Sequence, residues 1–335
     1  METVIVIAMS FTTRFAAAAL VAAPLALAGC SSADDPGAAS TPSDAAPCPT
    51  TPVDVVVSVD QWGDVVRDLG GACANVTTLL ASSSVDPHDY EPSPADASKF
   101  AGARMVVVNG GHYDEWAAKL AAGSAPDAPV VDAVLLSGGE AGHDHEHDEA
   151  GHEHDHAAEG NPHVWYSPTA VTAVADAVTA QLTELAPDAG DYFADRRSTW
   201  TATMKPYDDA IAAIKAGATG KTYAATESVF DDMAAAVGLA NGTPQGYQTA
   251  SNNETDPSPA DLDAFLSVLR DKRVDVLVYN TQTEGSVPEQ IRQTAESAGV
   301  PVVEVTETVA PGADSFEAWQ VAQLTSLAKA LGVAV

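Results

Sequence analysis

The sequence predicts an α/β protein of two lobes, each a parallel sheet flanked by helices, joined by a long helix. Three observations carry this reading. From Val53 onward, apolar runs of strand length alternate with amphipathic segments of helix length. The phrase Asp86-Pro87-His88-Asp89-Tyr90-Glu91-Pro92-Ser93-Pro94-Ala95-Asp96 returns in part as Asp256-Pro257-Ser258-Pro259-Ala260-Asp261. After each copy come a helical segment and an apolar strand ending in asparagine, Met105 to Asn109 and Val274 to Asn280. That is the signature of two related lobes, chance recurrence of an Ala/Pro/Asp-rich string being the alternative. Between the two series lies one long helical stretch, 188–216.

The amino end reads as a targeting segment. Phe15 to Leu27 is an apolar run, too short for a spanning helix, followed by Leu27-Ala28-Gly29-Cys30. That tetrapeptide resembles a bacterial lipobox, in which Cys30 is lipidated and becomes the first mature residue. Residues 1–29 are then a lipoprotein signal peptide, with translation starting at Met1 or Met9; a buried helix is the alternative. Residues 30–52, rich in Ser, Ala, Pro and Asp, read as a flexible tether. With Cys30 lipidated, Cys48 and Cys73 remain as a candidate disulfide in an oxidising compartment, or as two buried free thiols.

The body begins with Val53 to Val59, a near-continuous apolar run as in a strand covered on both faces. Trp62 to Leu69 is helical, and Val76 to Leu80, Met105 to Val108 and Val130 to Val134 are further strands. Prolines restrict the backbone on both sides of His88. Ser93 then reads as an N-cap, Pro94 as the first helical residue and Asp96 as the acid of a capping box. Thr169 to Leu185 is a helix with Val171, Val174, Val178, Leu182 and Leu185 on one face. It closes a first lobe of residues 53–187. The stretch from Asp188 to Ala216 is the linking helix, with Pro206 as a kink point. The second lobe, 217–335, repeats the pattern: strands Tyr223 to Thr226, Val274 to Tyr279 and Val302 to Val305, and helices Val229 to Val237, Ala260 to Arg270, Val287 to Ala298 and Ser315 to Leu331.

A formal charge of −32 argues against nucleic acid and anionic membrane surfaces as partners and suits a body that meets cations. Of nine histidines, six (His143, His145, His147, His152, His154 and His156) lie in one tract, which makes the other three conspicuous. His88 follows a strand; His163, in Asn161-Pro162-His163-Val164-Trp165, is again fixed by proline; His112 follows another strand end and reads as a surface histidine or a neighbour of the cleft. Glu227 and Glu307 each follow a strand of the second lobe. Parallel sheets bind ligands beyond the carboxyl ends of their strands, so His88, His163, Glu227 and Glu307 point to one crevice at the lobe interface. Two imidazoles and two carboxylates neutralise one divalent cation. The alternative for each residue alone is a polar loop side chain.

These motifs resemble those of the metal-binding lipoproteins of zinc/manganese ABC importers, the cluster A-I substrate-binding proteins. The resemblance spans about residues 53 to 331 and rests on the two proline-fixed histidine motifs, the His-rich loop ahead of the second, and Asp256 to Leu262. It implies two α/β lobes, a rigid linking helix and a metal site between the lobes. It places the family's first two ligands on His88 and His163, the third on Glu227 and the fourth on Glu307. It also implies a receptor, monomeric and lipid-anchored outside the cell membrane, that hands its ion to an ABC permease. Asn161 stands where the family usually has Asp, and the fourth-ligand alignment is loose by a residue or two.

Imidazole suits zinc and carboxylate oxygen suits manganese. The six-histidine loop, 142–160, tips the expectation to Zn2+, with Mn2+ as the alternative. His152-Glu153-His154-Asp155-His156 matches the H-E-x-x-H pattern of zinc proteases, but it lacks the apolar helical face which that chemistry needs. The tract therefore reads as an auxiliary metal-collecting loop. An extracellular metallohydrolase and a surface adhesin are the readings from other classes, and no enzyme activity is expected.

Overall fold

The computed structural model describes residues 46–81, 90–138, 161–253, 255–283 and 285–335. At the centre of the first lobe is β1 (Val53–Val59), whose five valines are all buried. It is covered on both faces, which is why the run lacks the polar alternation of a half-exposed strand. Helix α1 (Asp60–Gly70) buries Trp62, Val65, Val66 and Leu69 and leads to β2 (Ala74–Leu80). Next come α2 (Pro94–Phe100), β3 (Met105–Val108), α3 (Glu115–Ser124) and β4 (Val130–Asp132). All pairings are parallel, in the order β2-β1-β3-β4, with Val55 level with both Val76 and Met105.

The capping box is present: Asp96 N donates to Ser93 Oγ, and Asp96 Oδ2 accepts from Ser93 N. Several boundaries differ from expectation by a residue or two. The fourth strand stops at Asp132 rather than Val134, because Asp132 Oδ1 accepts from Leu135 N at 2.9 Å and so caps a short helix, α4 (Ala133–Leu136). Cys48 and Cys73 are joined by a disulfide that ties the segment before β1 to the turn after α1. Closing a loop of 25 residues stabilises a chain by roughly 3 kcal/mol in the chain-entropy picture.

Ser167 caps α5 (Pro168–Leu185), which buries Val171, Val174, Val178 and Leu182; Leu185 lies at the core's edge. The long linking helix is bent. It runs as α6 (Gly190–Thr203) and α7 (Lys205–Gly217), broken at Met204. Pro206 has no N–H for the carbonyl of Ala202, and as the second residue of α7 it fits a helix start better than a helix interior.

The second lobe contains β5 (Thr222–Ala225), α8 (Asp231–Ala236), β6 (Ala240–Asn241), α9 (Gln245–Asn252), α10 (Pro259–Arg270), β7 (Val276–Asn280), α11 (Ser286–Ala298), β8 (Val302–Val305) and α12 (Phe316–Leu331). Its sheet is again parallel, in the order β6-β5-β7-β8. Each sheet thus repeats one winding: second strand, first, third, fourth. Each has its switch point where the first strand borders the third, β1 beside β3 and β5 beside β7, and that is where such sheets open a ligand crevice. Asp44–Val335 forms one compact unit. One core runs from the first sheet through α5, α6 and α7 to α12 and one face of the second sheet. A smaller core, with Phe265, Leu269, Leu277 and Ile291, covers the other face.

Candidate metal centre

In the first lobe the site is built on Asn109, just past β3. Its amide accepts from Trp62 Nε1 at 3.1 Å and donates to the carbonyl of Pro162 at 2.8 Å. Gly110, at φ +82°, makes the sharp turn after it, and Asp114 accepts from the N–H groups of both Asn109 and Gly110. Burial pushes the Asp114 carboxyl up to about 6, against these hydrogen bonds. The chain holding His163 is therefore pinned to the first sheet's switch point.

The imidazole is buried, with its edges against Trp165 and Tyr113. Asn161 Oδ1 lies 2.7 Å from His163 Nδ1 and 3.1 Å from its backbone N. A carboxamide oxygen only accepts, so Nδ1 is the donor here and Nε2 is the ring nitrogen turned toward Glu307. Asn161 is itself anchored through Nδ2 to the carbonyl of Ser228, beside Glu227. The family's usual Asp could not make that donation.

In the second lobe Glu227 lies two residues past the end of β5, in extended backbone at the switch point. Glu307 sits in the loop after β8. Gln282 Oε1 accepts from the N–H groups of Glu307 (2.7 Å) and Thr308 (3.0 Å), holding that loop from its own lobe. The first lobe holds it too: Gln61 Nε2 donates to Glu307 O at 2.6 Å, and Tyr166 Oη donates to Thr306 O at 2.6 Å. Asn280, the last residue of β7, donates from Nδ2 to Glu227 Oε2 at 2.5 Å and to Glu307 Oε1 at 2.8 Å. Burial raises the Glu227 carboxyl above the usual range; the Asn280 hydrogen bond opposes this and the Glu307 charge adds to it.

His163 Nε2 stands 3.7 Å from Glu307 Oε2. That is long for a hydrogen bond. It is close to the separation of about 3.3 Å between two donors on a tetrahedral ion with bonds near 2.0–2.1 Å. Among the described residues no three His, Cys, Asp or Glu side chains are close enough to share one ion as they lie. A cation would have to draw Glu227 in beside the His163–Glu307 pair, with Asn280 bridging both carboxylates.

Of the residues singled out from sequence, His163 and Glu307 face each other, and Glu227 is tied to Glu307 through Asn280. His88, Cys30 and the loop histidines from His143 to His156 lie outside the described residues. His112 instead pairs with Glu115 at the start of α3 and is half exposed. Sequence reasoning missed Asn280, Gln282 and Gln61. The signal for Asn280 was the asparagine ending both repeat strands.

Residues 55–330 match the family model described as zinc-uptake complex component A, periplasmic. The chain belongs to this family. Relatives of the zinc-uptake component include the high-affinity zinc uptake system protein ZnuA of Bacillus subtilis, 27% identical over 233 residues, which are 68% of this chain and 69% of that protein. The zinc-binding lipoprotein AdcA of Streptococcus pneumoniae is 25% identical over 224 residues, 64% of this chain but only 42% of its own length. The fold is also that of the substrate-binding protein FpvC of Pseudomonas aeruginosa in complex with Mn2+. The TM-score is 0.65 at 19% identity, covering 84% of this chain and 99% of the other. A periplasmic metal-binding protein of Candidatus Liberibacter asiaticus likewise gives 0.65 at 16% identity, covering 83% and 99%.

Proposed function

We propose that this protein is the extracytoplasmic receptor of an ABC importer, capturing Zn2+ in the cleft between its lobes and delivering it to the membrane permease. His88, His163, Glu227 and Glu307 are the ligands in this reading. The observation that carries it is His163 Nε2 facing Glu307 Oε2 at 3.7 Å, with Glu227 and Glu307 tethered to one asparagine, Asn280. Family membership makes the role one of binding and transport rather than catalysis, and the relatives named for zinc favour that ion. The lipobox supports anchoring through Cys30, and the acidic surface supports a monomer. The six-histidine loop then collects zinc beside the cleft, more weakly because ordering the loop opposes binding.

The donor chemistry suits a divalent cation. Two carboxylates cancel the charge of one divalent cation, and buried carboxylates have reason to bind it. Mn2+ is the competing reading, since two of the four ligands are oxygen donors. Native mass spectrometry of the mature protein in an equimolar Zn2+/Mn2+ mixture, with a chelator removing loosely held ions, decides between them. The expected result is one retained zinc. Retained manganese, or no retained metal, contradicts the proposal.

A further inference from the structure

Asn280 is only 2% exposed, and its amide is fixed at every polar atom. Oδ1 accepts from Gln282 N at 3.1 Å, and Nδ2 donates to both site carboxylates. Its backbone N donates to Thr226 Oγ1, next to Glu227. Rotating the amide would break the Gln282 bond and turn an oxygen toward two anions, so one orientation is enforced. Both N–H groups of Nδ2 are then committed, one to Glu227 Oε2 and one to Glu307 Oε1. The remaining Glu307 oxygen, Oε2, is the one that faces His163 Nε2.

We propose that Asn280 is a specificity-determining residue: by occupying one oxygen of each carboxylate, it limits Glu227 and Glu307 to a single metal bond apiece. The inference rests on the cleft reading above and adds how the cleft chooses its ion. Zinc is satisfied by four tetrahedral ligands, and His163 with two one-oxygen carboxylates needs only one further donor to make that set. Manganese favours more oxygens and octahedral geometry, which the same side chains could approach only by binding through both carboxylate oxygens. Asn280 stands on those second oxygens. It penalises the oxygen-hungry ion while leaving the four-coordinate ion its full set, so it discriminates by what it withholds.

The test compares the intact mature protein with Asn280→Ala and Asn280→Asp, which both remove the donor. Affinities for Zn2+ and Mn2+ are read by chelator competition, and Co2+ is added as a spectroscopic substitute for zinc. Melting curves confirm that each variant is folded, and the isosteric Asp variant guards against a collapse of the Ala site. The expected result is a zinc-over-manganese ratio lowered by roughly tenfold or more in both variants, the scale typical of losing a partner that orients a metal ligand. The intense visible bands of four-coordinate cobalt should weaken in parallel. A ratio equal to wild type, even with both affinities reduced together, overturns the inference and leaves Asn280 a merely structural residue. Glu227→Gln is the control: if it binds zinc as wild type does, the cleft reading itself fails, independently of Asn280.

Discussion

The two lobes share one winding and one Ser-Pro-Ala-Asp helix start, yet the asparagines that end their third strands serve opposite needs. The Asn109 side chain bonds only neutral groups, the Trp62 indole and the Gly110 and Pro162 carbonyls, and so orients the segment that carries the His163 imidazole. Asn280 bonds two carboxylates. An imidazole proposed as a ligand needs direction, and His163 gets it from Asn161 and a wall of aromatic rings. A carboxylate in a buried place needs compensation, and burial makes Glu227 hold its proton more tightly than an ordinary Glu. The first lobe therefore supplies geometry and the second supplies charge.

If that division is right, removing charge should do the most damage. The double variant Glu227→Gln/Glu307→Gln should lose zinc affinity well beyond the roughly 10–100-fold typical of losing a ligand's orienting partner. Chelator competition measures it, and a loss no larger than that of an orienting partner would break the comparison. Removing direction should cost less. Asn161→Ala frees the His163 ring and loosens its tie to Ser228, with an expected loss of about 10–100-fold. Asn109→Ala, one step further away, should cost less than Asn161→Ala in the same assay.

The contact between lobes can be read through pH. Burial pushes the Asp60 carboxyl up to about 6 from 3.8, against a long hydrogen bond from Val309 N in the loop after Glu307. Between these two values the folded protein binds a proton that the unfolded chain has released. The stability contributed by Asp60 therefore falls as pH rises through that window, and is level above it. Denaturant midpoints at pH 4.5, 6.0 and 7.5 should show a smaller fall in Asp60→Asn than in wild type; identical profiles would mean that Asp60 is not buried against the second lobe. The smallest effect concerns the repeated helix starts. Ser93 has both limbs of a capping box, with Asp96 also accepting from Tyr90 and Lys99, whereas at Ser258 Asp261 N donates to the serine hydroxyl and that hydroxyl donates to the Asp261 carboxylate, without the backbone limb of the box. Each Ser→Ala change should cost about 1 kcal/mol, with Ser93→Ala the larger. Equal midpoint shifts would remove that distinction.

Much of the fold was legible because burial on both faces writes itself into a strand. The valines of β1, β3 and β7 admit no other simple reading, and the stripe on α5 gives a helix with one buried face. The two-residue strand β6 carries no period at all, and α3 is too rich in alanine after a Gly-Gly turn to announce its start. The break at Met204 was visible only as Pro206. The positions of Glu227 and Glu307 followed from the strands before them, since a residue just beyond a parallel strand lies at the crevice edge. What joins them did not follow, because an asparagine at a strand end looks like any loop polar residue. Its partners come from segments 53 and 27 residues away, a separation that no local pattern records.

The central claim is that one ion is held by both lobes, and anomalous diffraction at the zinc edge from zinc-loaded crystals tests it most directly. The account predicts a peak about 2.0–2.2 Å from His163 Nε2 and from one oxygen each of Glu227 and Glu307, with His88 completing four ligands. A peak that touches the ligands of one lobe only, or none of these residues, would contradict it.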